Sequence, residues 1–192
     1  MQRSTSIQKM TASALLIAIG IVIPLFMPIK IVLEPASFTL ASHVAIFIAM
    51  MLSPGMAAAV ALGTTLGFFL SGFPLVVVLR AASHLLFAVL GAVYVQKRPE
   101  VLSSPVKNRL LSLTIGVIHA MGEVAVASAF YFGGHMGEGY YQQGYVQSIM
   151  LLVGLGTIVH SMVDYEIALV IYKILSKQKS FSVLTSRKQS RQ

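Results

Sequence analysis

Three pairs of polar residues interrupt apolar stretches of the chain, and the two members of each pair lie four positions apart. The pairs are Arg80/His84, His119/Glu123 and His160/Asp164. A spacing of four places both members on one face of an α-helix, about 6 Å apart along its axis. Charged groups are costly on a surface that faces lipid, so we expect the three faces to point inward together.

Arg80 has the strongest requirement for a partner, because it lies within residues 75–94, a stretch otherwise apolar enough to cross a bilayer. A guanidinium does not lose its proton inside proteins. Placing one at the membrane centre costs about 2.5–3.5 kcal/mol on insertion scales. Arg80 therefore needs a fixed anion, a water-filled cavity, or a ligand that brings the negative charge.

Two ways of satisfying these side chains are open. In one, Arg80 forms an ion pair with Glu123 and the histidines connect neighbouring helices in a polar core. In the other, the same groups line a ligand site, the default expectation for an intramembrane charge. We expect the second role for Arg80 and leave both roles open for His119 and Glu123. A structural role is favoured for His160 and Asp164, because both are expected toward the cytoplasmic half of a long helix.

The helical rise places several of these residues at similar depth. At about 1.5 Å per residue, Arg80 lies roughly 10 Å and Glu123 roughly 12 Å below the outer surface. They could therefore share a pocket that opens outward, with His84 about one turn deeper. Two further residues could line it: His43, at the outer end of an apolar helix, and Tyr145, whose ring could stack on a planar ligand.

The composition is that of an integral membrane protein. Of the 192 residues, 56% are hydrophobic and only 10% are charged, whereas soluble domains carry about 25% charged residues. There is no cysteine, so disulfides and thiolate metal sites are excluded. The length fits one membrane domain, predicted over residues 1–175, followed by a basic, flexible cytoplasmic tail over residues 176–192.

Six apolar stretches predict an all-α bundle of six transmembrane helices in the lipid bilayer. They are residues 10–27, 38–52, 56–70, 75–94, 110–132 and 146–175. Twelve of the 14 Lys and Arg residues lie at the termini or in the connection 96–109, the exceptions being Lys30 and Arg80. Positive charge marks the cytoplasmic side, so both termini are predicted to be cytoplasmic and the Gly- and Tyr-rich loop 133–144 external. Because topology accounts for the basic residues, nucleic-acid binding is not expected.

The sequence does not favour an enzyme. It contains no H-E-x-x-H metal motif, no G-x-S-x-G nucleophile turn and no G-x-x-x-x-G-K-[ST] phosphate loop. The last absence indicates that the chain does not hydrolyse ATP itself. His119/Glu123 and His160/Asp164 offer four nitrogen and oxygen ligands of the kind that zinc accepts. Without a supporting motif, however, we predict no catalytic residue, no cofactor and no metal ligand.

A family resemblance adds to this interpretation. Six spans, cytoplasmic termini and an A-x-x-x-A pattern at Ala14 and Ala18 resemble the substrate-binding S components of energy-coupling factor (ECF) vitamin transporters. Residues 36–74, with R-A-A-S-H at 80–84 and G-T-I-V-H-S-M-V-D at 156–164, are most similar to the niacin-specific branch. The resemblance implies a multi-pass protein of a prokaryotic cell membrane that captures a small vitamin, niacin as nicotinate, from outside. Its implied partners are a membrane T subunit and two cytoplasmic ATPase subunits that drive uptake.

The resemblance also bears on the first helix, where it implies that Ala14 and Ala18 dock on the T subunit. From the sequence alone, packing of this small face against a neighbouring span is favoured.

Two alternatives for the function stay open. One is an S component for another vitamin such as pantothenate, whose carboxylate also suits Arg80. The other is a stand-alone proton-coupled transporter that uses His119/Glu123 and His160/Asp164, although no internal repeat supports it.

Overall fold

Long apolar helices make up most of the chain. The computed structural model describes residues 2–33, 36–178, 181 and 184. In chain order, the elements are α1 (Gln2–Phe26), β1 (Lys30–Leu33), β2 (Ala36–Thr39), α2 (Val44–Leu52), α3 (Pro54–Leu70), α4 (Leu75–Lys97), a 3-10 turn (Pro99–Leu102), α5 (Pro105–Phe132), α6 (Glu138–Tyr145), a π-helical segment (Val146–Leu155) and α7 (Gly156–Leu175).

Four helices are long and apolar enough to cross a membrane. They are Ser6–Phe26 within α1, Leu75–Lys97, Pro105–Phe132, and the continuous run Glu138–Leu175. The 17 residues of α3 fall just short of the usual length, and α2 has only 9 residues. The helical membrane class is therefore confirmed. The six-span count, the cytoplasmic termini and the division into domain and tail stay predictions. Of the predicted tail, residues 179–180, 182–183 and 185–192 lie outside the described residues.

The second predicted helix begins later than expected. Residues 38 and 39 belong to β2, which pairs antiparallel with β1 in the register Lys30↔Thr39 and Leu33↔Ala36. The helix predicted from residue 38 starts at Val44, so that boundary is wrong. A side chain of another helix fixes the start of α2, because a carboxylate on α7 accepts hydrogen bonds from the backbone N–H groups of Ala41 and His43.

The hydrophobic core is built around α2. All residues from Val44 to Met51 are buried, and α2 packs against α1, α3, α4 and α7. Phe47, Phe87 and Tyr165 are fully buried and stack edge-on or tilted near 5.4 Å between ring centroids. Because α2 is apolar on every side and central, its polar N-terminal end is also held inside the bundle.

Small residues allow α1 to approach α3 closely. A Cβ added at Gly63 would overlap the side chain of Ile17, and one at Gly67 would overlap Ile21. The G-x-x-x-G pattern is therefore used for packing within the chain. In contrast, Ala14 and Ala18 lie on a face of α1 that is exposed in the isolated chain. The expectation that this face packs against another span of the same chain is wrong.

The stretch before α7 is more ordered than predicted. Residues 138–145 form α6, which takes up the second half of the predicted loop 133–144, so that loop is shorter than expected. Gly144 has φ 78° and ψ 162°, a conformation that only glycine adopts without strain. The next ten residues then run as a π-helix, a geometry that often marks functional sites.

Candidate functional site

The polar faces of α4, α5 and α7 meet one another and the N-terminal end of α2. Beside them lies a cavity of about 290 Å³ that is also lined by residues of β2, α1, α3 and α6. Its polar lining residues are Thr39, Ser42, His43, Thr64, Arg80, His84, Glu123, Tyr140, Thr157 and His160. Its aromatic lining residues are Phe38, Phe68 and Phe73. The predicted convergence of the three helical faces is thus present.

Glu123 is the centre of the hydrogen-bond network. Arg80 Nη2 donates to Oε2 at 2.7 Å, and the hydroxyl of Thr157 donates to the same oxygen at 2.7 Å. The other oxygen, Oε1, lies 3.3 Å from His84 Nε2 and 3.6 Å from His119 Nε2. The carboxyl side chain is only 6% exposed. The ion pair between Arg80 and Glu123, one of the two arrangements predicted, is therefore formed.

Arg80 is not fully used by this ion pair. Its side chain is 21% exposed and lines the cavity. Its Nε–H is buried and has no hydrogen-bond partner among the described residues. A buried donor left unpaired costs about 1–3 kcal/mol. The part of the Arg80 side chain that is exposed in the cavity can bind a further acceptor.

Asp164 organises the adjoining part of the network. Its carboxylate accepts the backbone N–H of Ala41 at 2.8 Å and that of His43 at 2.9 Å. His43 Nδ1 lies 3.1 Å and His160 Nε2 lies 3.3 Å from the same side chain. The hydroxyl of Ser42 lies 3.0 Å from His160 Nε2. Asp164 therefore fixes the turn into α2 and the ring of His43.

Four imidazole rings form one continuous cluster. The ring of His43 lies 4.9 Å from His84, 4.7 Å from His119 and 5.1 Å from His160 between centroids. His84 and His119 are 4.6 Å apart. Two groups bring their ligand atoms close enough for a metal ion: His43 with His84, His119 and Glu123, and His43 with His160 and Asp164.

Four of the six predicted site residues line the cavity and two do not. The lining ones are Arg80, His84, Glu123 and His43. His119 is 1% exposed and lies behind them. Tyr145 lies away from the cavity, because its hydroxyl pairs with Ser128 at 2.9 Å and its ring packs on Tyr131 and Phe132.

Several lining residues were not predicted. We predicted a structural role for His160. Its spacing of four residues from Asp164 was the signal in the sequence that could have placed it at the site. Tyr140 takes the position expected of Tyr145, because α6 turns the Tyr-rich stretch. The sequence carried no signal for Phe38, which reaches the cavity from β2 and contacts the His160 ring at 5.5 Å.

Comparison with known proteins identifies one relevant relative. The chain is 41% identical over 175 residues to the niacin transporter NiaX of Lactococcus lactis subsp. cremoris (strain MG1363). The alignment covers 91% of this chain and 78% of the relative. No protein-family model and no solved structure matches the chain.

The likeness to this transporter, together with the apolar helices of the chain, indicates a multi-pass protein of the cell membrane. It indicates a transporter rather than an enzyme. The chain therefore belongs to the S-component family of energy-coupling factor vitamin transporters, in the branch that contains the niacin transporter.

Proposed function

We propose that this chain is the substrate-capture subunit of an ECF importer and that it binds nicotinate in the cavity beside Arg80. The transported substrate is a small vitamin, in keeping with a relative named as a niacin transporter. The observation that carries the ligand assignment is the state of Arg80, which pairs with Glu123 through Nη2 and yet lines the cavity with a side chain that is 21% exposed. A ligand carboxylate is the natural acceptor for a guanidinium exposed in this way.

The shape and lining of the cavity suit a small planar acid. Its volume of about 290 Å³ lies at the lower end of ligand sites, which run from about 300 to 1,000 Å³. Phe38, Phe68, Phe73 and Tyr140 supply aromatic rings around it. Such rings stack on a flat heteroaromatic ring in offset or edge-on geometry. Nicotinate combines the two required features, a flat ring and a carboxylate.

The negative charge of Glu123 does not oppose this ligand strongly. Its Oε2 already accepts from Arg80 and Thr157, and its Oε1 faces His84. An acid entering the cavity would meet Arg80 and the imidazoles with the Glu123 charge largely compensated. The proposed roles are therefore a carboxylate clamp for Arg80, a positioning role for Glu123, and ring contacts for the aromatic residues and His84.

The exposed face of α1 supports the proposed coupling to a T subunit and two ATPases. Ala14 and Ala18 are both exposed, and Leu15 beside them is 62% exposed. Small residues four apart allow a second helix to approach closely in a membrane. This face is thus available for a partner helix, as the family membership implies.

Mass spectrometry of the small molecule that co-purifies with the chain tests the proposal. We expect nicotinate in the purified protein, and uptake by cells that requires active ATPase subunits. Pantothenate or another acid in its place would contradict the ligand assignment. Uptake that follows the proton gradient and continues without the ATPases would contradict the ECF role and support the proton-coupled alternative.

A further inference from the structure

We propose that His43, His84, His119 and Glu123 form a binding site for one divalent transition-metal ion, of which Zn²⁺ is the best match. The site goes beyond the proposed capture of nicotinate and does not depend on it. It also replaces the sequence-based expectation that the chain has no metal ligand. The observations that carry it are the spacing of the ligand atoms, an unpartnered buried nitrogen, and the groups that hold the outer side of the ligands.

The ligand atoms of the four residues lie close together, and two of their separations are near those of a tetrahedral site. One ligand atom from each of the four residues lies within 4.8 Å of the others. Glu123 Oε1 is 3.3 Å from His84 Nε2 and 3.6 Å from His119 Nε2. Ligands placed about 2.0–2.1 Å from a tetrahedral zinc ion are separated by about 3.3–3.4 Å. These two separations are within a few tenths of an ångström of that value, and the remaining ones, all within 4.8 Å, would close as the rings turn toward the ion.

His119 has a buried nitrogen, Nε2, whose nearest charged group, the Glu123 carboxylate at 3.6 Å, is too far away for a hydrogen bond. Its side chain is fully buried, yet Nε2 has no hydrogen-bond partner among the described residues. Its Nδ1 lies 3.2 Å from the hydroxyl of Ser161. When Nδ1–H donates to that hydroxyl, Nε2 carries the lone pair and points it toward Glu123 and His84. A buried lone pair without a partner is costly unless a cation or a donor occupies the space beside it.

Outer partners hold three of the four ligands, namely His43, Glu123 and His119, in the way that metal sites require. His43 Nδ1 lies 3.1 Å from Asp164, and Asp164 is itself fixed by two backbone N–H groups. Glu123 Oε2 accepts from Arg80 and Thr157, which leaves Oε1 for the centre of the site. Carboxylate–histidine–metal chains of this kind set the tautomer and the orientation of the ligating ring.

The donor set selects the class of metal. Three imidazoles and one carboxylate are nitrogen and oxygen ligands of intermediate softness, which suit zinc and its first-row neighbours and not Mg²⁺ or Ca²⁺. Four protein ligands fill a tetrahedral shell, so no substrate group is needed to complete it. A divalent ion and the neighbouring Arg80 carry three positive charges, of which Glu123 and Asp164 offset two.

The test uses the full chain, without a histidine tag, purified in detergent and stripped with a chelator. ZnCl₂ or CoCl₂ is added in the absence of nicotinate, and bound metal is measured by elemental analysis after dialysis. We expect one ion per chain, and the intense visible bands of tetrahedral Co²⁺. His119→Gln and Glu123→Gln should lose stoichiometric binding, and Asp164→Asn should weaken it by about 10–100-fold. His135→Gln, an exposed histidine outside the cluster, should bind as the wild type does.

The outcomes separate this site from the alternatives. A wild-type chain that takes up no stoichiometric zinc or cobalt, or that gives only the weak bands of octahedral Co²⁺, would overturn the proposal without any variant having to fold. If His160→Gln loses the metal while His119→Gln retains it, the ion belongs to the His43, His160 and Asp164 group and our assignment is wrong. Since nicotinate is absent throughout, either result leaves the proposed vitamin binding untouched.

Discussion

Replacing Arg80 by lysine separates the charge of this residue from its planar shape. Lysine keeps one positive charge for Glu123, at the position where Arg80 Nη2 now donates at 2.7 Å. Its three donors share one nitrogen and lack the planar fork of the guanidinium, so it should hold Glu123 and a ligand carboxylate together less well. A hydrogen bond to a charged group contributes about 1.5–3 kcal/mol, so we expect nicotinate affinity to fall roughly 10- to 150-fold.

Isothermal titration calorimetry of the purified chain measures this change. Arg98→Lys is the matched control, because the Arg98 side chain is 70% exposed and does not line the cavity. We expect the control to bind nicotinate with wild-type affinity. Arg80→Ala should bind more weakly than Arg80→Lys and unfold more easily, since it leaves Glu123 as an unpaired buried charge, at a cost of about 3–5 kcal/mol.

Two results would refute this reasoning. If Arg80→Lys binds nicotinate as tightly as the wild type, the planar guanidinium is not the clamp. If adding Glu123→Gln to Arg80→Ala restores nicotinate affinity, the two residues act as a structural pair whose only requirement is charge balance. In that case the ligand carboxylate must be held elsewhere in the cavity.

Three further predictions concern orientation, coupling and stability. For orientation, a cysteine at Ser103 should be shielded from an impermeant thiol reagent in intact cells and one at Gly137 should be labelled; the reverse pattern would invert the topology. For coupling, Ala14→Trp should abolish ATP-driven uptake while the purified chain still binds nicotinate, because the bulky ring blocks the exposed face of α1; normal ATP-dependent uptake would remove this face from coupling. For stability, Asp164→Ala leaves the N–H groups of Ala41 and His43 without their acceptor and should destabilise the chain by roughly 2–5 kcal/mol in thermal unfolding. Glu166→Ala, an exposed acid on the same helix, is its control, and equal unfolding of both variants would contradict the capping role.

The centre of the site was predictable from the sequence because local spacing and membrane energetics both constrain it. Arg80, His84 and Glu123 lie in long apolar stretches, where a charged residue must turn inward and meet its counterpart. The same logic applies to His160, and only its expected depth kept it out of the predicted site. What spacing cannot give is the distance between helices, which decides that His119 lies behind the cavity.

The misjudged parts of the fold depend on contacts between distant segments. The apolar pattern after residue 38 is typical of a helix. In the structure, residues 38 and 39 instead pair with β1, and Asp164 then accepts hydrogen bonds from two backbone N–H groups before α2 begins. Tyr145 was expected at the pocket because its ring could stack on a planar ligand. The positive φ of Gly144 and the helix before it direct Tyr140 to the cavity instead. Neither interaction can be recognised from a short window of sequence.

The most direct test of the central claim compares nicotinate with nicotinamide on the wild-type chain. The two molecules share the same ring and differ only in the group that Arg80 is proposed to hold. An amide offers Arg80 a neutral acceptor, so the charged component of the hydrogen bond is lost. We expect calorimetry to give nicotinate at least about a 10-fold tighter affinity, the smaller end of the 1.5–3 kcal/mol range. Equal affinities would contradict a carboxylate clamp at Arg80.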